Sequence, residues 1–321
     1  MIEYRSLYQE ELDSWFDHCM YSFGNEKNSE GYREHFKRHW YNDPNRDING
    51  ILVAVEGGAI LSSLRIFYRD MYIEGKKIRA AGIGEVGTRL ESRGKGLSAS
   101  LLEIAVTQME QSCIHVCMLG AIKRDFYARF GWQQNRMVLK VCKTDAALKL
   151  PYNIRPVDFE SDMEALERIH TLYSGGFNGT FARDTEYWRI WIKPQFKSCW
   201  VAEDGRYGII AYICMEEGED QAIVKEFGCI PSFESVFDAF TAKGCCLLGK
   251  PGCDVKFPSG IKAELNLIRA EEWPYNMLRL IIPFKVGNTN IEATKQLLEV
   301  LNGGENISTE GKYLYWHTDS F

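Results

Sequence analysis

Two segments of this sequence hold residues whose types and spacing suit chemistry. The first runs Val86-Gly87-Thr88-Arg89-Leu90-Glu91-Ser92-Arg93-Gly94-Lys95-Gly96-Leu97-Ser98. A strand is expected to end there, a turn rich in glycine and base to follow, and a helix to begin. The first N–H groups of a helix have no partner within it and point outward, and the helix dipole favours an anion at that end. Gly94 and Gly96 let the backbone close round an anion with no Cβ in the way. Arg93 and Lys95 add positive charge, so the segment reads as a pyrophosphate cradle. A solvated basic turn ahead of an ordinary helix is the plainer alternative. No GxxxxGK[ST] occurs, which excludes the P-loop. The literal GxGxxG at Gly82-Ile83-Gly84-Glu85-Val86-Gly87 falls inside the expected strand and lacks the strand-to-helix setting that dinucleotide binding needs.

The second segment is Asp125-Phe126-Tyr127-Ala128-Arg129-Phe130-Gly131-Trp132. A tyrosine with a pKa of ~10 stays protonated at neutral pH and can give its proton to a thiolate. Phe126 and Tyr127 also read as core aromatics of a short amphipathic helix, which Gly131 would end under either reading. His35 and His39 share one face of an expected helix. Zinc needs a further placed ligand and no HExxH occurs, so no metal site is expected.

Several elements must position these residues. Helices are expected over Glu10 to Phe23 and Tyr32 to Tyr41, then strands over Ile51 to Val55, Ile60 to Tyr68 and Ala80 to Thr88. A long helix follows to Gln111, with Leu97, Leu101, Ala105 and Met109 recurring at every fourth position. Cys113 to Leu119 reads as a short buried strand, Lys123 to Phe130 as a short helix and Met137 to Val141 as a strand. After a linker at Lys143 to Tyr152 a similar order returns: a helix at Met163 to Tyr173, strands at Cys199 to Ala202, Gly208 to Met215 and Ala222 to Gly228, a helix at Phe233 to Thr241, and strands at Cys245 to Leu248 and Met277 to Ile282. The recurrence points to a duplicated fold. Trp188, Trp191 and Trp200 read as packing residues or as walls of a cleft.

Together the two segments resemble the GNAT superfamily of N-acetyltransferases. The family's acyl-CoA motif, [QR]-x-x-G-x-[GA], stands here as Arg93-Gly94-Lys95-Gly96-Leu97-Ser98, with a compact Ser98 in the last place whose hydroxyl needs a partner. Asp125 to Trp132 is similar to the family's FYxxxGF/W motif. The resemblance implies an α/β (α+β) fold with a mixed, mainly antiparallel splayed sheet flanked by helices. It implies that Val86 and Thr88, on one face, pair with the pantetheine arm. It further implies that Arg93 to Ser98 hold the pyrophosphate of acetyl-CoA and that Tyr127 protonates the departing thiolate. The activity implied is transfer of an acetyl group to a primary amine of a small molecule by direct attack on the thioester. A non-catalytic acyl-CoA sensor or assembly module is the alternative, and longer acyl donors would change only the pocket.

The duplicated order resembles the enhanced intracellular survival (Eis) branch, in which a second acetyltransferase fold lacks the cofactor motif. It implies a catalytic domain over residues 1–145 and a degenerate copy with a C-terminal tail over 152–321. The corresponding second stretch, Lys225 to Ser232, holds no Arg-x-x-Gly-x-Gly. Too little chain follows the linker for the third, sterol-carrier-like domain of fuller members, which puts their hexamer and their multi-site aminoglycoside acetylation in doubt. Eis-type enzymes use their C-terminal carboxylate as general base, which implies that role for Phe321; a tail packed on the second copy is the alternative. Glu85 and His115 are rival bases, His115 within an apolar run that suits a buried histidine.

Bulk properties agree with this. The chain has 321 residues, 45% hydrophobic and 26% charged, an ordinary globular composition with room for two domains. The net charge of −6 argues against nucleic acid as a partner. Ten cysteines without a CxxC pair, and no signal-like N-terminus, point to a reducing cytoplasm. No apolar run is long enough to span a membrane. A homo-oligomer is compatible with all of these features.

Overall fold

The computed structural model describes residues 1–24, 30–149, 151–303, 312–316 and 319. The first half runs β1 (Glu3–Ser6), α1 (Leu12–Phe23), α2 (Glu30–Tyr41), β2 (Ile51–Glu56), β3 (Ala59–Ile73), β4 (Lys76–Thr88), α3 (Leu97–Gln111), β5 (Val116–Gly120), α4 (Arg124–Ala128), β6 (Gln133–Gln134) and β7 (Met137–Lys143). The second half runs β8 (Asn153–Pro156), α5 (Met163–Ser174), β9 (Cys199–Asp204), β10 (Gly208–Glu217), β11 (Gln221–Cys229), α6 (Val236–Leu247), β12 (Asp254–Pro258), β13 (Asn266–Trp273) and β14 (Asn276–Leu280), then the hairpin β15 (Phe284–Val286) and β16 (Thr289–Ile291), and α7 (Thr294–Asn302).

Two seven-stranded sheets result, ordered β1-β2-β3-β4-β5-β14-β6 and β8-β9-β10-β11-β12-β7-β13. In each, one pair is parallel, β4 with β5 and β11 with β12, and the other neighbours are antiparallel. The fold is therefore mixed, mainly antiparallel and flanked by helices, as expected. Sheet membership does not follow the division at the linker. Strand β7 leaves the first half to pair with β12 and β13, and β14 leaves the second to lie between β5 and β6. Each incoming strand satisfies backbone groups that the parallel strand would otherwise leave open at its edge.

The strand patterns follow from what covers each face. In β2, Ile51, Val53 and Val55 meet Trp15, Phe16, Phe36 and Trp40 of α1 and α2. Leu52 and Ala54 point the other way, to Leu97, Leu101, Ala105 and Met109 of α3. With helices on both faces the strand is apolar throughout. Trp188, Trp191 and Trp200 are buried packing residues. The strand expected at Cys245 to Leu248 is instead the last turn of α6, because a short apolar run carries too few residues to reveal its period.

Buried charges join the halves. Arg65 and Arg69 of β3 both reach Asp43, at 2.7 and 3.0 Å, and Arg69 lies 5.0 Å over the ring of Tyr187. Tyr187 donates to Asp319 at 3.1 Å, and Arg183 binds Asp319 and both oxygens of Glu226 at 2.7–3.0 Å. Burial pushes the Asp319 carboxyl up against the pull of Arg183. Burial alone would lower Arg183, but Asp319 and Glu226 outweigh it and raise it. Truncating one member of such a cluster strands buried charge. Arg183→Met should therefore lose about 3–5 kcal/mol of unfolding free energy in urea; a loss under about 1 kcal/mol would contradict this packing.

His18 of α1 is fully buried, its ring nitrogens 3.2 and 3.4 Å from the carbonyl oxygens of Ile60 and Gly87. Burial, helped by the charge of Arg89, pulls its pKa down to about 4. The folded state thus holds His18 neutral, while the unfolded chain takes up a proton near pH 6.5. Its stabilisation is present above that pH and is lost as pH falls towards 4. The stability difference between wild type and His18→Gln should shrink by about 3 kcal/mol from pH 7 to pH 4. A difference independent of pH would contradict the buried neutral ring.

Candidate active site

Strands β4 and β5 pair through Ala80, Ala81 and Gly82 against Val116, Cys117 and Met118, and then part. The register of β4 on β3 shifts where Leu64 faces both Glu85 and Val86, and Glu85 takes φ 56°. This extra residue bends the strand. Beyond it the Arg89 N–H donates to Leu61 O. Since alternate N–H groups of an antiparallel strand face its partner, those of Thr88 and Val86 face away from β3, into the gap.

A cleft of about 640 Å³ occupies this gap. Its walls include Val86, Thr88, Arg93, Gly94, Gly96, Leu97 and Ser98 from the first segment and Tyr127 from the second. Lys95, between two left-handed glycines, is exposed and is not a wall. Gly94 and Gly96 both have φ 79°. A Cβ at either would meet nothing within 4 Å, so the backbone conformation requires glycine there and crowding does not. Gly96 precedes α3 and no side chain caps that helix, so no side chain occupies its first N–H groups. The Ser98 hydroxyl does find partners: it lies 2.6 Å from Thr88 Oγ1 and 3.2 Å from Ser62 Oγ, and Ser62 donates to Gly87 O at 3.0 Å. These hydroxyls tie the end of β4 to the start of α3.

Tyr127 stands on α4, a single turn reached directly from β5. Its ring meets Phe126 at 5.0 Å and Trp132 at 6.4 Å, both edge-on. Burial pushes its phenol up to about 12, so it stays protonated at any physiological pH.

Glu85 points away from the cleft walls, into the space between β4 and α2. Its Oε1 lies 2.7 Å from His39 Nδ1 and 3.6 Å from Arg65, while Oε2 is buried with no hydrogen-bond partner. The sequence offered no signal for this pairing, which depends on how α2 docks on β4. His35 stacks on His39 at 5.5 Å. Among the described residues no three His, Cys, Asp or Glu side chains gather to hold a metal. His115 lies at the other end of β5, with its N–H on Arg79 O and its ring 3.3 Å from Ile282 O, so it is not brought to the cleft. Phe321 lies outside the described residues.

No curated protein matches the chain in sequence. Residues 3–134 match the acetyltransferase (GNAT) domain family. Among solved structures, a probable N-acyltransferase from Enterococcus faecalis V583 superposes with a TM-score of 0.71 at 15% identity, over 88% of this chain and 73% of its own. Eis1 from Mycobacterium abscessus gives 0.61 at 13% identity, over 88% and 74%. N-myristoyltransferase from Saccharomyces cerevisiae with bound myristoyl-CoA gives 0.55 at 10% identity, over 92% and 87%. The likeness extends over both halves, so the chain has a tandem fold of this kind, and the family match to the GNAT acetyltransferase domain lies in its first half, at residues 3–134.

Proposed function

We propose that this protein transfers the acetyl group of acetyl-CoA to a primary amine of a small molecule, with the chemistry in the first half, residues 1–145. The observation that carries this reading is the meeting, in one cleft, of a free strand edge, an uncapped helix N-terminus and a protonated tyrosine. The pantetheine amide groups would pair with Val86 and Thr88, and the pyrophosphate would lie at Arg93 to Ser98. The myristoyl-CoA bound to the yeast neighbour supports a CoA thioester as donor.

The amine nitrogen attacks the thioester carbonyl, the C–S bond breaks, and the thiolate takes the Tyr127 proton. Catalysis comes from positioning and from backbone donors to the developing oxyanion. Likeness to the Eis branch supports the Phe321 carboxylate as acceptor of the ammonium proton. The second half, residues 152–321, is read as a degenerate copy: its turn after β11, Ile230-Pro231-Ser232-Phe233-Glu234-Ser235, holds neither glycine nor base. Ten free cysteines favour a cytoplasmic setting, and no helix among the described residues is long and apolar enough to cross a membrane.

Tyr127→Phe should lower kcat ~10²-fold while leaving acetyl-CoA affinity nearly unchanged; an unchanged kcat removes Tyr127 from the mechanism. Gly96→Val forces a β-branched residue into φ 79° at the pyrophosphate turn. It should weaken CoA binding by calorimetry at least ~10-fold, and undiminished affinity would place the cofactor elsewhere. Thiol release from acetyl-CoA across a panel of primary amines tests turnover, and binding without turnover on any amine would favour the non-catalytic sensor.

A further inference from the structure

The turn that carries Tyr127 does not hold itself in place. Helix α4 spans five residues, and a single turn is not self-supporting. Its last carbonyls lack helical partners. The support comes from the second half of the chain, through the exchanged strand β14. Arg279 of β14 donates its Nη1 hydrogen to the carbonyl oxygen of Phe130. Its guanidinium lies 5.1 Å over the ring of Trp132. Between the two, Gly131 takes φ 86°, and a Cβ there would come within 3.5 Å of Arg279 Nε.

Both residues that Arg279 grips are bound to Tyr127. The N–H groups of Phe130 and Trp132 donate to Tyr127 O at 3.0 and 3.3 Å, and the buried Trp132 ring meets the Tyr127 ring edge-on. Arg279 is itself firmly placed. It pairs with Cys117 in the register of β14 on β5, Leu278 beside it pairs with both Met118 and Gln133, and the Leu280 N–H donates to Thr294 Oγ1 at 3.1 Å. Among the described residues no carboxylate stands within salt-bridge distance of it, so its charge is directed at a carbonyl and a ring. A planar cation that also stacks suits this place, which an ammonium would fill poorly.

We propose that Arg279 is a positioning residue for Tyr127, so that the second half completes the catalytic site of the first. The proposal rests on the reading of Tyr127 as proton donor. A misplacement of about 1 Å can cost ~10²-fold in rate, and a residue that acts only through Tyr127 must lose its effect once the phenol is gone.

The test is a double-mutant cycle on the full chain, by thiol release from acetyl-CoA with the most active amine of a panel running from 1,4-diaminobutane to lysine methyl ester. Arg279→Met should lower kcat roughly 10- to 100-fold with acetyl-CoA affinity unchanged, and Arg279→Lys should recover only part of the loss. In the Tyr127→Phe background Arg279→Met should change kcat by less than about twofold. Equal losses in both backgrounds, or an unchanged kcat in Arg279→Met, would overturn the proposal. If Arg279→Met does not fold, Arg279→Lys in the two backgrounds decides in the same way. A wild type without turnover, or a Tyr127→Phe protein with unchanged kcat, defeats the Tyr127 reading and this proposal with it; either result is visible before Arg279 is altered.

Discussion

The parting of β4 from β5 is the constraint from which the rest of the site follows. Three residue pairs hold the strands together, after which the Val86 and Thr88 N–H groups have no strand beside them. Open backbone groups are costly unless water or a ligand meets them. The fold keeps the gap open from both sides. The extra residue at Glu85 bends β4 away, and the hydroxyls of Ser62, Thr88 and Ser98 fasten its end to α3. On the other side β5 passes straight into the turn that carries Tyr127. An extended ligand chain lying in the gap would complete the sheet, with its anionic end at the uncapped start of α3.

The second sheet repeats the device with a different outcome. Strand β11 pairs with β12 through Gln221, Ala222 and Ile223 and then parts from it. Glu226 stands three residues past Ile223, as Glu85 stands three past Gly82. Both carboxylates are buried. Both oxygens of Glu226 are bound by Arg183, whereas one oxygen of Glu85 has no partner. The carboxylate of the second half is thus bound through both oxygens by one arginine, and that of the first half through one oxygen by His39 and Arg65. The halves are not independent, because each sheet borrows a strand and the charges from Asp43 to Asp319 run across the seam.

Much of this was legible before any coordinates. The basic glycine turn, its helix, the buried strand and Tyr127 follow one another along a short stretch, so local chemistry and spacing bring Tyr127 and all but Lys95 of the expected cofactor-binding residues to one cleft. The tandem order was legible for the same reason. Contacts between distant segments were not. Nothing in Met137 to Lys143 or Asn276 to Leu280 says which sheet edge each will join, since an apolar strand fits either. The left-handed Glu85 was hidden because bulge geometry is imposed by the partner strand and carries no residue signature here. His39 was weighed only as a metal ligand, because its partner Glu85 lies on another element. Arg279, far along the chain, carried no mark of its approach to Phe130 and Trp132.

The central claim is that the freed edge of β4 binds the arm of an acyl-CoA. Amide hydrogen exchange, resolved to single residues and measured with and without saturating CoA, tests it most directly. Protection should appear at Val86 and Thr88, whose N–H groups face the gap, and should leave Gly87, turned towards β3, unchanged. CoA bound at saturation with no change at Val86 and Thr88 would contradict the account.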